Sequence, residues 1–231
     1  MRKFLLVPAL MLVPFAAQAQ ISTTKHNITL GTNAVYTADA NAGLCEFCHV
    51  PHNARTDQNA IWNRDDPGVT TYTWGSATPT VGGTALPANV GAPSLKCFSC
   101  HDGTADIGQL FNGTNYTMAG TGQTGGALNN NFYIVNQGAM AGNHPVSVQY
   151  PDTANPGNYL GHTYGATVNL AGYHTIATID AGTTVTLAYD GATGGRGVEC
   201  GSCHEPHDNS NGYFLRETNA ASALCLDCHN K

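Results

Sequence analysis

Eight cysteines stand in four identical settings: Cys45-Glu46-Phe47-Cys48-His49, Cys97-Phe98-Ser99-Cys100-His101, Cys200-Gly201-Ser202-Cys203-His204 and Cys225-Leu226-Asp227-Cys228-His229. None is left over. Two sulfurs three positions apart share one turn of chain and reach the two vinyl groups of a single porphyrin. The adjacent His then lies under the iron. The pattern implies four covalently attached c-type haems, with His49, His101, His204 and His229 as proximal iron ligands. Zinc sites also use Cys pairs, but zinc leaves a His after every pair unexplained. A thioredoxin-like redox motif needs a βαβ context, which is absent. Disulfides are the usual fate of exported cysteines, yet bridges across two-residue gaps would be strained and would close very little chain.

Six further histidines remain: His26, His52, His144, His162, His174 and His207. Beyond the N-terminal segment only Met118 and Met140 could compete as ligands. Histidine supply therefore favours bis-His coordination, at lower potentials than Met/His ligation gives. His52 and His207 each follow a proximal ligand by three residues, in His49-Val50-Pro51-His52 and His204-Glu205-Pro206-His207. From there a side chain does not easily reach the far face of its own haem, so each is expected to ligate a neighbouring iron. His144 precedes Pro145, which holds it extended and suits a fixed loop ligand. His26 is the fourth expected distal ligand and, on a terminal arm, the candidate to reach a neighbouring copy. His162 and His174 are the less favoured candidates. A six-coordinate iron admits no substrate, so the expected chemistry is electron transfer rather than catalysis. A multihaem reductase would need an open iron position, and no C-x-x-C-K motif supplies one.

The elements that position these residues must be short. Residues 1–19 read as a secretory signal peptide: Arg2 and Lys3, an apolar run too short to span a bilayer, and small residues before a cut after Ala19. The expected location is secreted, extracellular or at the cell surface, with the periplasm as alternative. From Gln20 onward seven Lys and Arg face fifteen Asp and Glu. An acidic chain of this kind is unsuited to nucleic acid. Only 10% of residues are charged while Gly numbers 27, a composition of loops rather than long amphipathic helices. The expected fold class is mostly irregular, with one-turn helices at the haem motifs and a few short strands, as in a multihaem cytochrome c wrapped around a haem chain.

Residues 20–231 are expected to form a single tetrahaem domain: 20–110 carrying a first haem pair, 111–195 a Gly/Asn/Thr-rich β insert, and 196–231 a second pair. Within the insert, 132–135, 146–150, 166–170, 175–179 and 183–189 read as short extended runs, and 179–183 as a hairpin turn. Roughly fifty residues per porphyrin leave the haems to supply much of the buried surface, so the apo-chain is not expected to fold.

The two C-x-x-C-H-x-P-H units, Ser94-Leu95-Lys96 before the second motif, His101-Asp102-Gly103, Asn143-His144-Pro145-Val146 and the closing pair of motifs resemble the extracellular cytochrome-nanowire group, the OmcE-like multihaem cytochromes. The resemblance covers the whole chain after residue 19. It implies stacked bis-His haems and head-to-tail homopolymerisation into a conducting filament, with one distal His supplied by the adjacent protomer. Upstream periplasmic or outer-membrane cytochromes and extracellular electron acceptors would be the partners. The rival reading is a monomeric periplasmic tetrahaem shuttle.

Overall fold

The computed structural model describes residues 20–29, 31, 37–39, 41–74, 89–129, 137–155, 158–165 and 168–231. The signal-peptide reading of 1–19, the run 132–135 and the start of the run 166–170 lie outside these residues. After a 3-10 turn at Gln20–Thr23, the regular elements are β1 (Thr37–Ala38), α1 (Ala92–His101), β2 (Met118–Ala119), β3 (Gln123–Thr124), β4 (Ala127–Leu128) and β5 (Val148–Gln149). A 3-10 turn at Leu170–Gly172 then leads to α2 (Ile176–Gly182), β6 (Ala188–Tyr189), β7 (Arg196–Val198) and α3 (Cys200–Cys203). The 3-10 turn Ala220–Ser222 and α4 (Ala223–Leu226) close the chain. Among the described residues no helix is long and apolar enough to cross a membrane.

Among the described residues α1 is the longest helix, ten residues, and its sequence explains why. Pro93 in the first turn lacks an N–H where none is needed. Ser94 and Phe98, four apart, share its buried face. Beyond His101, the buried Asp102 carboxylate accepts the backbone N–H groups of Thr104 and Ala105, both at 2.8 Å, and turns the chain away. Helix α1 packs on α3, so the second and third cysteine motifs touch. The two halves foreseen from the sequence are thus joined directly, not held apart by the segment between them.

Strand β1 pairs antiparallel with β2, and β3 with β4. The β3–β4 hairpin turns on Gly125 and Gly126, both left-handed at φ +60° and +88°, the geometry that two-residue hairpins require. A Cβ on Gly126 would also meet the Asp106 carboxylate at 2.2 Å. Strand β7 lies between β5 and β6, antiparallel to both.

Residues 179–183 are not a hairpin turn, and 175–179 are not extended. Thr175 caps α2 by accepting the Thr178 N–H at 3.2 Å, and Ile179 is buried beneath it. A Thr N-cap ahead of an i, i+3 pair of isoleucines outweighs their β-branching. Within the run 183–189 strand forms at Ala188–Tyr189 (β6), and Val185 and Leu187 ahead of it are buried in alternation.

The buried apolar residues form three small clusters. Ile28, Ala38, Phe47, Ile107, Leu110, Met118 and Leu128 pack beside Cys100. Tyr72, Val90, Phe98, Met140 and Val146 pack beside Cys97 and Cys200. Tyr150, Ile179, Val185, Leu187 and Leu224 pack beside Cys203 and Cys228. Each cluster adjoins cysteines of the haem-attachment motifs.

Candidate haem centres

Each motif closes on itself in one turn. The backbone N–H of His49 bonds Cys45 O at 2.8 Å, that of His204 bonds Cys200 O at 3.0 Å, and that of His229 bonds Cys225 O at 2.9 Å. Motif two lies inside α1. One helical turn puts both sulfurs and the following imidazole on a single side of the chain, as attachment of one porphyrin demands. No two of the eight cysteines are joined by a disulfide.

The motifs also follow one another in space. Cys48 of motif one lies within electrostatic reach of Cys100 of motif two. Cys97 of motif two and Cys200 of motif three pack against the same apolar cluster, where α1 meets α3. Cys203 of motif three neighbours Cys228 of motif four; burial first and then that neighbour push the Cys228 thiol up to about 12. The order along the run is therefore one, two, three, four.

The histidines come together in twos. His49 faces His207 with ring centres 6.1 Å apart, His101 faces His26 at 6.2 Å, and His229 faces His144 at 6.3 Å. In each pair one ring belongs to a cysteine motif and the other does not. A metal bonded to two imidazole nitrogens at about 2 Å each, with each ring centre roughly 1 Å further on, separates the centres by about 6 Å. The ring spacing of the three pairs fits imidazoles that would hold a metal between them. Among the described residues no three or more His, Cys, Asp or Glu converge as a metal cage.

In four of these paired rings, and in His204, Nδ1 meets an oxygen. His49 Nδ1 lies 2.7 Å from Ala60 O, His204 Nδ1 2.9 Å from Tyr213 O, and His144 Nδ1 2.8 Å from Pro145 O. His26 Nδ1 meets Pro206 O at 3.4 Å, and His207 Nδ1 meets the Glu205 carboxylate at 3.1 Å. A carbonyl or carboxylate oxygen only accepts, so the proton sits on Nδ1 and Nε2 keeps its lone pair for a metal. His26 is additionally stacked on Phe214 at 4.1 Å. Burial, with the charges of nearby histidines, lowers its pKa to about 4, which keeps it neutral.

Two carbonyls are aimed by unusual backbone. Ala60 and Ile61 have φ of +64° and +49°, and Tyr213 and Phe214 have +52° and +57°. Such consecutive left-handed non-glycine residues are uncommon; the pairs begin 11 residues after His49 and 9 after His204, downstream of the two C-x-x-C-H-x-P-H units. Each delivers a carbonyl to the proximal ring and then bridges back to it, His49 to Trp62 and His204 to Leu215.

The remaining histidines stand elsewhere. His204 enters no ring pair with another histidine, and His52 is exposed with its ring likewise outside any such pair. His162 is tied to Tyr159 by two backbone bonds of 2.8 and 2.9 Å, and His174 N–H bonds Cys228 O at 2.9 Å. Met118 and Met140 are buried in the apolar clusters, where they serve packing. His26, foreseen as the arm reaching outward, lies against His101 of its own chain.

Four groups at the centres carry no sequence signature. The carbonyls of Ala60 and Tyr213 belong to backbone. Arg64 and Glu199, each 2% exposed, are single charges in a charge-poor chain, and only the position of Glu199 beside Cys200 could have drawn notice.

Residues 193–231 match the family described as the doubled CXXCH motif. That segment holds motifs three and four. The match indicates covalent haem c attachment at these two motifs, and with it haem-based electron transfer. A search of curated proteins returns no match to the chain.

Proposed function

We propose that the chain transfers electrons through four covalently bound bis-His haems, as the repeating subunit of an extracellular filament. The observation that carries the reading is the set of three histidine pairs spaced 6.1–6.3 Å apart, with one motif histidine, His204, left over. Haem, when bound, supplies a one-electron ferric–ferrous couple. The chain's residues do the rest. The cysteines fix each porphyrin edge, the paired imidazoles close the metal to other ligands, and the carbonyls on Nδ1 lock the rings so that little moves when charge changes.

His204 needs a distal partner and the exposed His52 needs an iron. Across a head-to-tail contact, His52 of one copy would ligate the metal above His204 of the next. Repetition of that heterologous contact without ring closure builds an open filament. Export by the signal peptide and delivery to acceptors outside the cell follow from this reading, as does receipt of electrons from cytochromes upstream.

Electron microscopy of secreted material tests it. The native chain should form filaments; His52→Ala should yield dispersed copies in which the haem of motif three alone turns high-spin. Monodisperse native particles with four low-spin haems would support the periplasmic shuttle instead.

A further inference from the structure

Two buried charges of opposite sign occupy successive junctions of the motif run. At the junction of motifs one and two, the Arg64 guanidinium donates to Ser99 O at 3.1 Å, Ile107 O at 2.6 Å and Asp106 O at 2.8 Å. All three acceptors are backbone carbonyls, and among the described residues no carboxylate forms an ion pair with it. Ser99 O is one of the last carbonyls of α1, so the cation caps that helix. Asp65 and Asp66 nearby are exposed, where water screens them. The charge reaches both flanking motifs. Ser99 lies inside motif two, and Asn63, the residue before Arg64, donates its N–H to Cys48 O of motif one at 2.9 Å. The buried Asp102 carboxylate, just after motif two, is held by the Thr104 and Ala105 N–H groups.

At the junction of motifs two and three lies Glu199. Its carboxylate accepts from Ser94 Oγ, from Ser147 Oγ at 3.1 Å and from Tyr159 OH at 2.8 Å. Ser94 Oγ in turn accepts the Cys200 N–H at 3.0 Å. Glu199 caps α3, immediately precedes Cys200, and bonds Ser94 of α1, the helix that carries motif two. Half-buried Lys96 is the cation that acts on it, without forming an ion pair.

A fixed positive charge in a low dielectric favours the reduced, less positive state of a nearby redox centre, and a negative charge favours the oxidised one. We propose that Arg64 and Glu199 tilt the potentials along the run, making the motif-one end more oxidising and the motif-three end more reducing. An electron taken up at motif three is thereby drawn toward motif one; one iron is oxidised, the other reduced, and no proton or bond is exchanged. The inference rests on the haem-carrying reading above.

Redox titration of the full haem-loaded chain at pH 8 tests it, after intact mass has established the haem count. Fewer than four haems on the native chain would contradict the functional reading. With four in place, Arg64→Met should shift the high-potential part of the titration downward, while Arg64→Lys, which keeps the charge, should stay near the native curve. Glu199→Gln should shift the low-potential part upward. Should Arg64→Met fail to load haem, Glu199→Gln and Arg64→Lys decide the matter. Curves unmoved by Glu199→Gln, or Arg64→Lys shifted as far as Arg64→Met, would overturn the proposal.

Discussion

At the scale of single residues, ligation is prepared by the nitrogen that does not ligate. Five histidine rings carry their proton on Nδ1 because an oxygen waits there, and this frees Nε2. Removing a distal ring should open one metal and leave the rest. His26→Ala is expected to keep its haems attached and to show one high-spin centre by electron paramagnetic resonance, whereas His162→Ala and His174→Ala should remain wholly low-spin. A low-spin His26→Ala protein would remove His26 from the ligand set.

Glu199 supplies a second residue-scale outcome. Burial raises its pKa from the usual 4.5 to about 6, against the pull of the three hydroxyls. The folded chain therefore holds this proton more tightly than the unfolded chain. Stability contributed by the protonated acid is present below about pH 4.5 and is lost as pH rises through about 6. The loss is on the order of 2 kcal/mol, at about 1.4 kcal/mol per unit. Denaturant melts between pH 4 and pH 7 should show this decline in the native protein relative to Glu199→Gln; parallel pH profiles would contradict it.

The sequence was legible at this scale wherever side-chain identity carries the chemistry. The four Cys pairs and their histidines announce themselves by spacing. The pairing of His144 with His229, or His26 with His101, was not legible, because it depends on contacts between residues 75 to 85 positions apart in the chain. The choice of His26 as the outward arm failed for a physical reason. Stacking on Phe214 and the contact with Pro206 O hold it inside its own chain.

At the scale of elements, short pieces are fixed by single contacts. Gly197 in β7 leaves room for the ring of Tyr159, and a Cβ there would stand 2.2 Å from Tyr159 Cδ1. Gly197→Ala is therefore expected to destabilise the protein by about 1–3 kcal/mol, measured by chemical denaturation, and to disturb the Tyr159–Glu199 bond. A stability within experimental error of native would mean that the ring moves aside freely. Thr175→Ala should cost about 1 kcal/mol through loss of the α2 cap, read from the same melts. The α2 segment shows why elements were the least legible level. Residues 175–179 look extended because Ile and Thr are β-branched, but a local cap and one buried isoleucine decide for helix. The 183–189 run, by contrast, has alternating burial that matches its alternating sequence.

At the scale of the whole molecule, the buried apolar side chains among the described residues fall into three clusters, and each meets cysteines that would hold a porphyrin. Porphyrins bound between them would join the clusters into one buried column. A chain with all eight cysteines replaced by alanine should then lose its order, visible as a coil-like circular dichroism spectrum; a native-like spectrum would show that the protein packs without haem. This level was legible in outline, since a loop-rich composition with few residues per motif implies that something other than side chains fills the middle. The contact of motif two with motif three was not, because 98 residues separate them in the chain and only the folded packing of α1 on α3 brings them together.

Intact mass spectrometry of the exported protein tests the central claim most directly. The expected mass is that of the chain from Gln20 to Lys231 plus four covalently bound haems. A mass equal to the bare polypeptide, or to fewer than four haems, would contradict the assignment of all four motifs.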